Sequence, residues 1–132
     1  MLARLSRPQV DAYIIEADDR PVGYLQAWFD NEQPDTSGLD MFLVPDARRR
    51  GLGPDAARTL ATHLLNGGQS RVTVDPYRSN QPAIRAWTRA GFRPATEHEP
   101  DSEHREPWVL MDFDPTSLMT RPNTAAADCA GR

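Results

Sequence analysis

Three arginines, Arg48, Arg49 and Arg50, stand directly before Gly51-Leu52-Gly53, and the chain then turns helical. A helix N-terminus presents N–H groups without intrahelical partners and about half a positive charge from its aligned peptide dipoles. Glycines let a ligand approach that backbone closely, and nearby arginines add charge-assisted hydrogen bonds. Together they suit a phosphate. Three readings of the segment are open at this level. It can be a solvated linker with a glycine turn. It can be a dinucleotide fingerprint, because Gly51-Leu52-Gly53-Pro54-Asp55-Ala56 fits G-x-G-x-x-A with Asp75 about twenty residues on. Against that, six residues separate Val44, where a strand ends, from Gly51, and the chain is short for two nucleotide-binding halves. It can also be a cradle for a diphosphate. The G-K-[ST] of a nucleoside-triphosphate loop is absent.

A second group with chemical potential is Asp40. Along "LDMFLV" strand alternation puts Asp40, Phe42 and Val44 on one face and Leu39, Met41 and Leu43 on the other. A carboxylate among apolar neighbours is costly unless paired, so Asp40 either has a partner or a task, or is an exposed strand start. Asn80, ahead of Pro82, is placed to cap a helix. Asp30, Glu32 and Asp35 form an acidic loop that could gather a cation or be a solvated face, and Glu103, Glu106, Asp112 and Asp114 rank behind it. His63 falls on a polar helix face, and His98 and His104 lie in or near an acidic loop. All three read as surface residues, and no metal site is evident. The single Cys129 excludes an internal disulfide and a cysteine cluster for zinc.

The elements that must position these residues follow from periodicity and turn signals. "DAYIIEA" and "VGYLQAWF" read as a hairpin around "DDRP", and "DNEQPDTSG" as a loop. Leu39–Val44 is a third strand, ended by Pro45. Ala57, Leu60, Ala61, Leu64 and Leu65 make one apolar stripe, so a helix is expected after Gly53, with Pro54 in its first position and Asn66-Gly67-Gly68 as its stop. Arg71–Asp75 is a strand, a short helix starts near Asn80 and stops at Gly91, and "FRPATEH" and "PWVLMDF" close the sheet. The order is β-β-β-α-β-α-β-β, an α/β (α+β) mixed sheet whose Leu39-to-Asp75 unit is a right-handed parallel crossover. One domain spans 1–114, and 115–132 is expected to be a disordered tail. The 132 residues carry a net charge of −4, which gives no general basic surface for nucleic acid. No apolar run approaches a membrane span, and a cytoplasmic location follows by default.

Two blocks carry a family resemblance. Arg48-x-x-Gly51-x-Gly53 at a helix start resembles the pyrophosphate loop of the GNAT N-acetyltransferase superfamily. "DPYRSNQPAIRAWTRAGF" resembles its second block: Asp75-Pro76 at a strand end, Asn80, Ala83-Ile84, an aromatic at Trp87, then Gly91-Phe92. Together with "GYLQAW" and "SGLDMFL" the look is closest to aminoglycoside 6'-N-acetyltransferases, with siderophore-type (hydroxy)lysine N-acyltransferases as near neighbours. The resemblance covers roughly residues 11 to 114.

The resemblance implies acetyl-coenzyme A as cofactor, wedged where two central parallel strands splay apart. Its pantetheine arm would pair with the backbone of Leu43 and Val44. Arg48, Arg49, Arg50, Gly51, Leu52 and Gly53 would face the diphosphate, and Asn80 and Trp87 would contact the coenzyme from the other side. Asp40 would take the proton of a small cationic amine, directly or through water, and a backbone N–H near Leu43 would hold the oxyanion. The family's tyrosine, which can protonate the departing thiolate, is replaced by Trp87; Tyr77 is a candidate substitute. The superfamily also opens with a strand and two helices that form much of the acceptor wall. "MLARLSRPQV" cannot replace them, so the fold is expected to be N-terminally shortened with one sheet edge bare and a half-built cleft. The implied function is an antibiotic-resistance type of N-acetyltransferase. A catalytically silent coenzyme A binding protein remains an alternative, and either could be a monomer or a homodimer.

Overall fold

The computed structural model describes residues 2–7, 10–30 and 32–116. Its strands are β1 (Leu2–Arg7), β2 (Val10–Ala17), β3 (Arg20–Phe29), β4 (Thr36–Leu43), β5 (Arg71–Val74), β6 (Phe92–His98) and β7 (Trp108–Phe113). Helix α1 is Leu52–Asn66 and α2 is Gln81–Ala90. The strands form one seven-stranded sheet in the order β1-β2-β3-β4-β5-β7-β6. Every pair is antiparallel except β4 and β5, which α1 connects. The strand and helix order expected from Asp11 onward is therefore the observed one.

Two expectations about the sheet need correction. The edge of β2 is not bare: Leu2–Arg7 pairs with it in unbroken register, from Leu2↔Ile15 to Arg7↔Val10. A strand precedes the hairpin after all, joined to it by only two residues. The strand β4 also begins earlier than its apolar run, at Thr36. Thr36-Ser37-Gly38 reads as turn chemistry, but it is drawn into the sheet by β5 through Thr36↔Arg71, Ser37↔Val72 and Gly38↔Thr73. Gly38 is required there for space, since a Cβ would fall within the Trp28 indole of β3. The expected tail at 115–132 lies outside the described residues from 117 on.

Helix α1 buries Ala57, Leu60, Ala61 and Leu64, the stripe that periodicity picked out. It packs on β4 and β5 and against α2, and α2 packs on β6. One core results, built around Leu25, Leu39, Leu60, Val72, Val74, Phe92 and Met111. The helix starts two residues sooner than Pro54 suggests. Gly51 is its N-cap at φ 79, a left-handed conformation that glycine adopts without a Cβ penalty, and Pro54 falls third. Its missing N–H still belongs to the first turn, where no intrahelical acceptor exists.

Candidate active site

The parallel pairing of β4 and β5 lasts three residues. After Gly38↔Thr73, β5 turns to β7 (Thr73↔Asp112, Val74↔Met111), while β4 stays with β3 to Gly23↔Leu43. From Leu39 to Leu43 the other edge of β4 has no strand beside it among the described residues. This is the splay expected of the two central strands. A cleft of about 940 Å³ opens at its mouth, between the carboxyl end of β4, the start of α1 and one side of α2. A smaller cavity of about 260 Å³ adjoins it, lined by Leu39, Asp40, Met41, Val74, Asp75, Asn80 and Trp87 among others.

Leu43, Arg48, Arg49, Gly51 and Gly53 line the large cleft. Gly51 is exposed, with open space where a Cβ would be. Gly53 is the opposite case: a Cβ would lie 3.1 Å from both Leu43 Cδ1 and Met41 Cε. The helix start is pressed onto β4, which only a glycine in the second helical position allows without displacing them. Arg48 donates from Nε to the Leu43 carbonyl (3.0 Å) and lies 5.6 Å over the Phe42 ring. Arg50 points elsewhere, 3.8 Å from Asp18 in the β2–β3 turn. Val44, Arg50 and Leu52 do not line either cavity. The Val44 N–H already donates to the Val22 carbonyl (2.9 Å). Two cations that sequence reading passed over complete the cleft: Arg85 and Arg89, one turn apart on α2. Neither forms an ion pair within the described residues, and their i, i+4 spacing was the signal for them.

Asn80 and Trp87 line the smaller cavity. The Asn80 Oδ1 accepts from the Ala83 N–H (3.2 Å), so it is the N-cap of α2. Trp87 is buried and meets Phe92 edge-on, with centroids 5.4 Å apart. Tyr77, the candidate substitute acid, lines neither cavity, and its hydroxyl accepts the Arg105 N–H (3.2 Å).

Asp40 leaves the core as alternation requires: Leu39 is buried, Asp40 and Phe42 are exposed. Solvent reaches it through the cavity mouth, yet surrounding atoms crowd its carboxyl. Burial pushes its pKa above the usual carboxylate range, the Gln26 side chain opposes this, Asp75 adds to the rise, and His104 pulls against it. Gln26 Nε2 donates to Asp40 Oδ2 at 3.2 Å.

His104 is the residue most misjudged from sequence. It is not a surface residue: its side chain is 12% exposed, and both ring nitrogens meet carboxylates. Asp75 and Asp101 supply them, on neither of which sequence placed a partner. The acidic loop before β4 is not brought to the cleft. Asp35 accepts from the Ser70 hydroxyl, and Asp30 from the Glu32 N–H, at the end of β4 opposite Asp40. Asp112 is held by Arg71 Nε at 2.6 Å and Glu106 by the Ser79 hydroxyl, so both have structural partners.

A sheet split at its one parallel pair, with a cationic helix start at the mouth of the split, places the chain among mixed α/β folds. Within that class the chain belongs to the acetyltransferase (GNAT) family, whose sequence profile matches residues 1–92. Aminoglycoside N(6')-acetyltransferase type 1 of Klebsiella pneumoniae is 31% identical over 110 residues, 74% of this chain and 55% of that protein. The same enzyme type from Serratia marcescens gives the same figures. This chain thus spans about half the length of the curated relatives it matches. Among solved structures, AAC(6')-Ib in complex with ribostamycin and coenzyme A is similar at TM-score 0.71 and 25% identity, over 86% of this chain and 69% of that one. Its complex with coenzyme A and kanamycin gives TM-score 0.72 and 26% identity, over 84% and 70%. No helix of the described residues is long and apolar enough to cross a membrane.

Proposed function

We propose that the chain is an acetyl-coenzyme A-dependent N-acetyltransferase. Its acceptor is a primary amine of a small cationic molecule of the aminoglycoside kind, modified at a 6'-type position in the cytoplasm. One observation carries the reading: β4 and β5 part after Gly38↔Thr73, and Asp40 lies in the cavity that the parting leaves.

The residues present fit the coenzyme. The edge of β4 from Leu39 to Leu43, which has no strand beside it among the described residues, suits the amides of a pantetheine arm, with the Leu43 carbonyl already taken by Arg48. The amides at Gly51 and Gly53, with Arg48 and Arg49, suit a diphosphate. Asn80 caps α2 with one oxygen and retains its amide N–H groups for a ligand. When bound, the coenzyme supplies an acetyl group activated as a thioester. The chain's own task is to orient the amine and remove its proton. A free alkyl ammonium has a pKa near ~10, so an ordinary carboxylate is a poorly matched base. Burial raises Asp40 and narrows that mismatch. The proton moves from the acceptor nitrogen to an Asp40 oxygen, directly or through one water.

The test is release of coenzyme A from acetyl-coenzyme A with a panel of amines, including kanamycin, spermidine and N-hydroxylysine. Turnover on kanamycin, lost in Asp40→Asn, is the expected result. Preference for hydroxylysine with longer acyl chains would move the assignment to the siderophore-type enzymes. Tight coenzyme binding with no turnover on any amine would leave a binding protein and overturn the reading.

A further inference from the structure

The loop between β6 and β7, residues 99–107, brings His104 to the end of β5. There His104 Nε2 lies 2.8 Å from Asp75 Oδ2, and Nδ1 lies 2.8 Å from Asp101 Oδ1. The ring stacks on Trp108, with centroids 4.2 Å apart and planes 14° apart, and meets Tyr77 edge-on. Asp101 is itself fixed, accepting from the main-chain N–H groups of Glu103 and His104 and from Trp108 Nε1. A neutral imidazole has one donor and one acceptor nitrogen, so it cannot donate to two carboxylates at once; an imidazolium can. The arrangement therefore selects the charged ring. Burial opposes that charge, and the bonds to Asp75 and Asp101 with their negative charges outweigh it, so His104 holds its proton above the ordinary histidine range.

Asp75 shares the smaller cavity with Asp40. Two carboxylates facing one small cavity repel, and the second to ionise would hold its proton tightly. We propose that His104 is a positioning residue for the acceptor: its imidazolium aims the Asp75 carboxylate into the cavity and offsets its charge, so that Asp40 stays ionised opposite it. This rests on the acetyltransferase reading for the word acceptor, but the electrostatic arrangement does not. The groups that bear on His104 are Asp40 from β4, Asp75 and Tyr77 from the end of β5, and Asp101 in its own loop. His98 of β6 stacks on Trp108 as well.

The prediction has two readouts. In the full chain without ligands, NMR titration follows the His104 ring and the Asp40 carboxyl. His104 should titrate above its ordinary value, and in His104→Gln the Asp40 carboxyl should titrate higher than in wild type. An ordinary or lowered His104, or an unmoved Asp40, overturns the proposal whether or not the protein is an enzyme. With kanamycin as acceptor, kcat/KM in His104→Gln should fall more at mildly acid than at mildly alkaline pH, while KM for acetyl-coenzyme A stays unchanged. A loss equal at every pH would mean a merely structural loop clasp and would also overturn it. If His104→Gln fails to fold, Asp101→Asn removes one negative charge beside the ring from outside the cavity. It should lower the His104 titration, and an unchanged one counts against the proposal.

Discussion

Gly53 offers the cleanest separation of coenzyme binding from folding. In Gly53→Val the new Cβ meets Leu43 Cδ1 and Met41 Cε at 3.1 Å, both of them ends of flexible side chains that can yield. Overpacking of that kind costs roughly 1–3 kcal/mol. Gly53 and both of those side chains line the large cleft, so displacing them changes its wall. In wild type, coenzyme A at a hundred times its Kd should stabilise the fold by about 2.7 kcal/mol. For a domain of this size that is about a 10 °C rise in melting midpoint. Gly53→Val should melt lower without ligand and lose most of that rise. Gly51→Ala is the second probe. Its residue sits at φ 79 with no protein atom near its Cβ, so alanine there costs roughly 1–2 kcal/mol of backbone strain, and its methyl enters the cleft that Gly51 lines. It should start lower and lose part of the coenzyme-induced rise. Fluorescence-monitored melting across a coenzyme series measures both. A full rise in both variants, each folded, would refute the placement of the diphosphate at this helix start.

Asp40→Asn should lower kcat by about 10²–10⁴. An acid whose folded pKa is raised is stabilising only while protonated, an advantage present below its unfolded value and lost as pH rises through the folded one. A permanently neutral asparagine should therefore melt at or above wild type at neutral pH; a markedly lower midpoint would contradict the burial of this carboxyl. His104 has the same sign for a different reason. Its stabilising bonds are complete below the ordinary value of 6.5 and weaken as pH rises through its higher folded value. The melting midpoint of wild type should fall across that window relative to His104→Gln, as calorimetry at stepped pH would detect. Asn80→Ala should cost about 1 kcal/mol through loss of the α2 cap, and Asn80→Asp should recover it, by denaturant titration.

What could be read from the sequence was what short stretches decide for themselves. The α1 stripe declares itself within two turns, and the Asn80 cap and Gly91 stop lie next to the helix they bound. The early start of β4 was hidden because Thr36-Ser37-Gly38 is turn-like in isolation and becomes strand only by pairing with β5, some thirty-five residues away. Leu2–Arg7 has no β-branched residue, so only the register offered by β2 makes it a strand. The His104 bond to Asp75 spans 29 residues, and nothing near His104 in the chain announces it. The same division runs through the site. The segment proposed to face a diphosphate, Arg48 to Gly53, is local, yet Arg50 turns to Asp18 and Arg85 and Arg89 join the cleft from α2. The proposed acceptor side is assembled by the sheet, and of it the sequence singled out Asp40.

The split between β4 and β5 is held open from both ends. At the near end, Ser37 donates to the Gln69 side chain, Gln69 donates to the Pro34 carbonyl, and Ser70 donates to Asp35, so the first three pairs are clamped. At the far end each strand has a better partner on its other side. Gln26 holds Asp40 on the β3 side, while Arg71 reaches across to Asp112 and fixes the pairing of β5 with β7 just where β5 leaves β4. Those antiparallel pairings set the course of each strand, so that past Gly38↔Thr73 the two part. The wedge is thus a property of the sheet rather than of a ligand, and Asp40 and Asp75 face a preformed space. A coenzyme entering it should spend none of its binding energy on parting strands, so the saving shows in a lower Kd rather than in the rise at a fixed multiple of Kd.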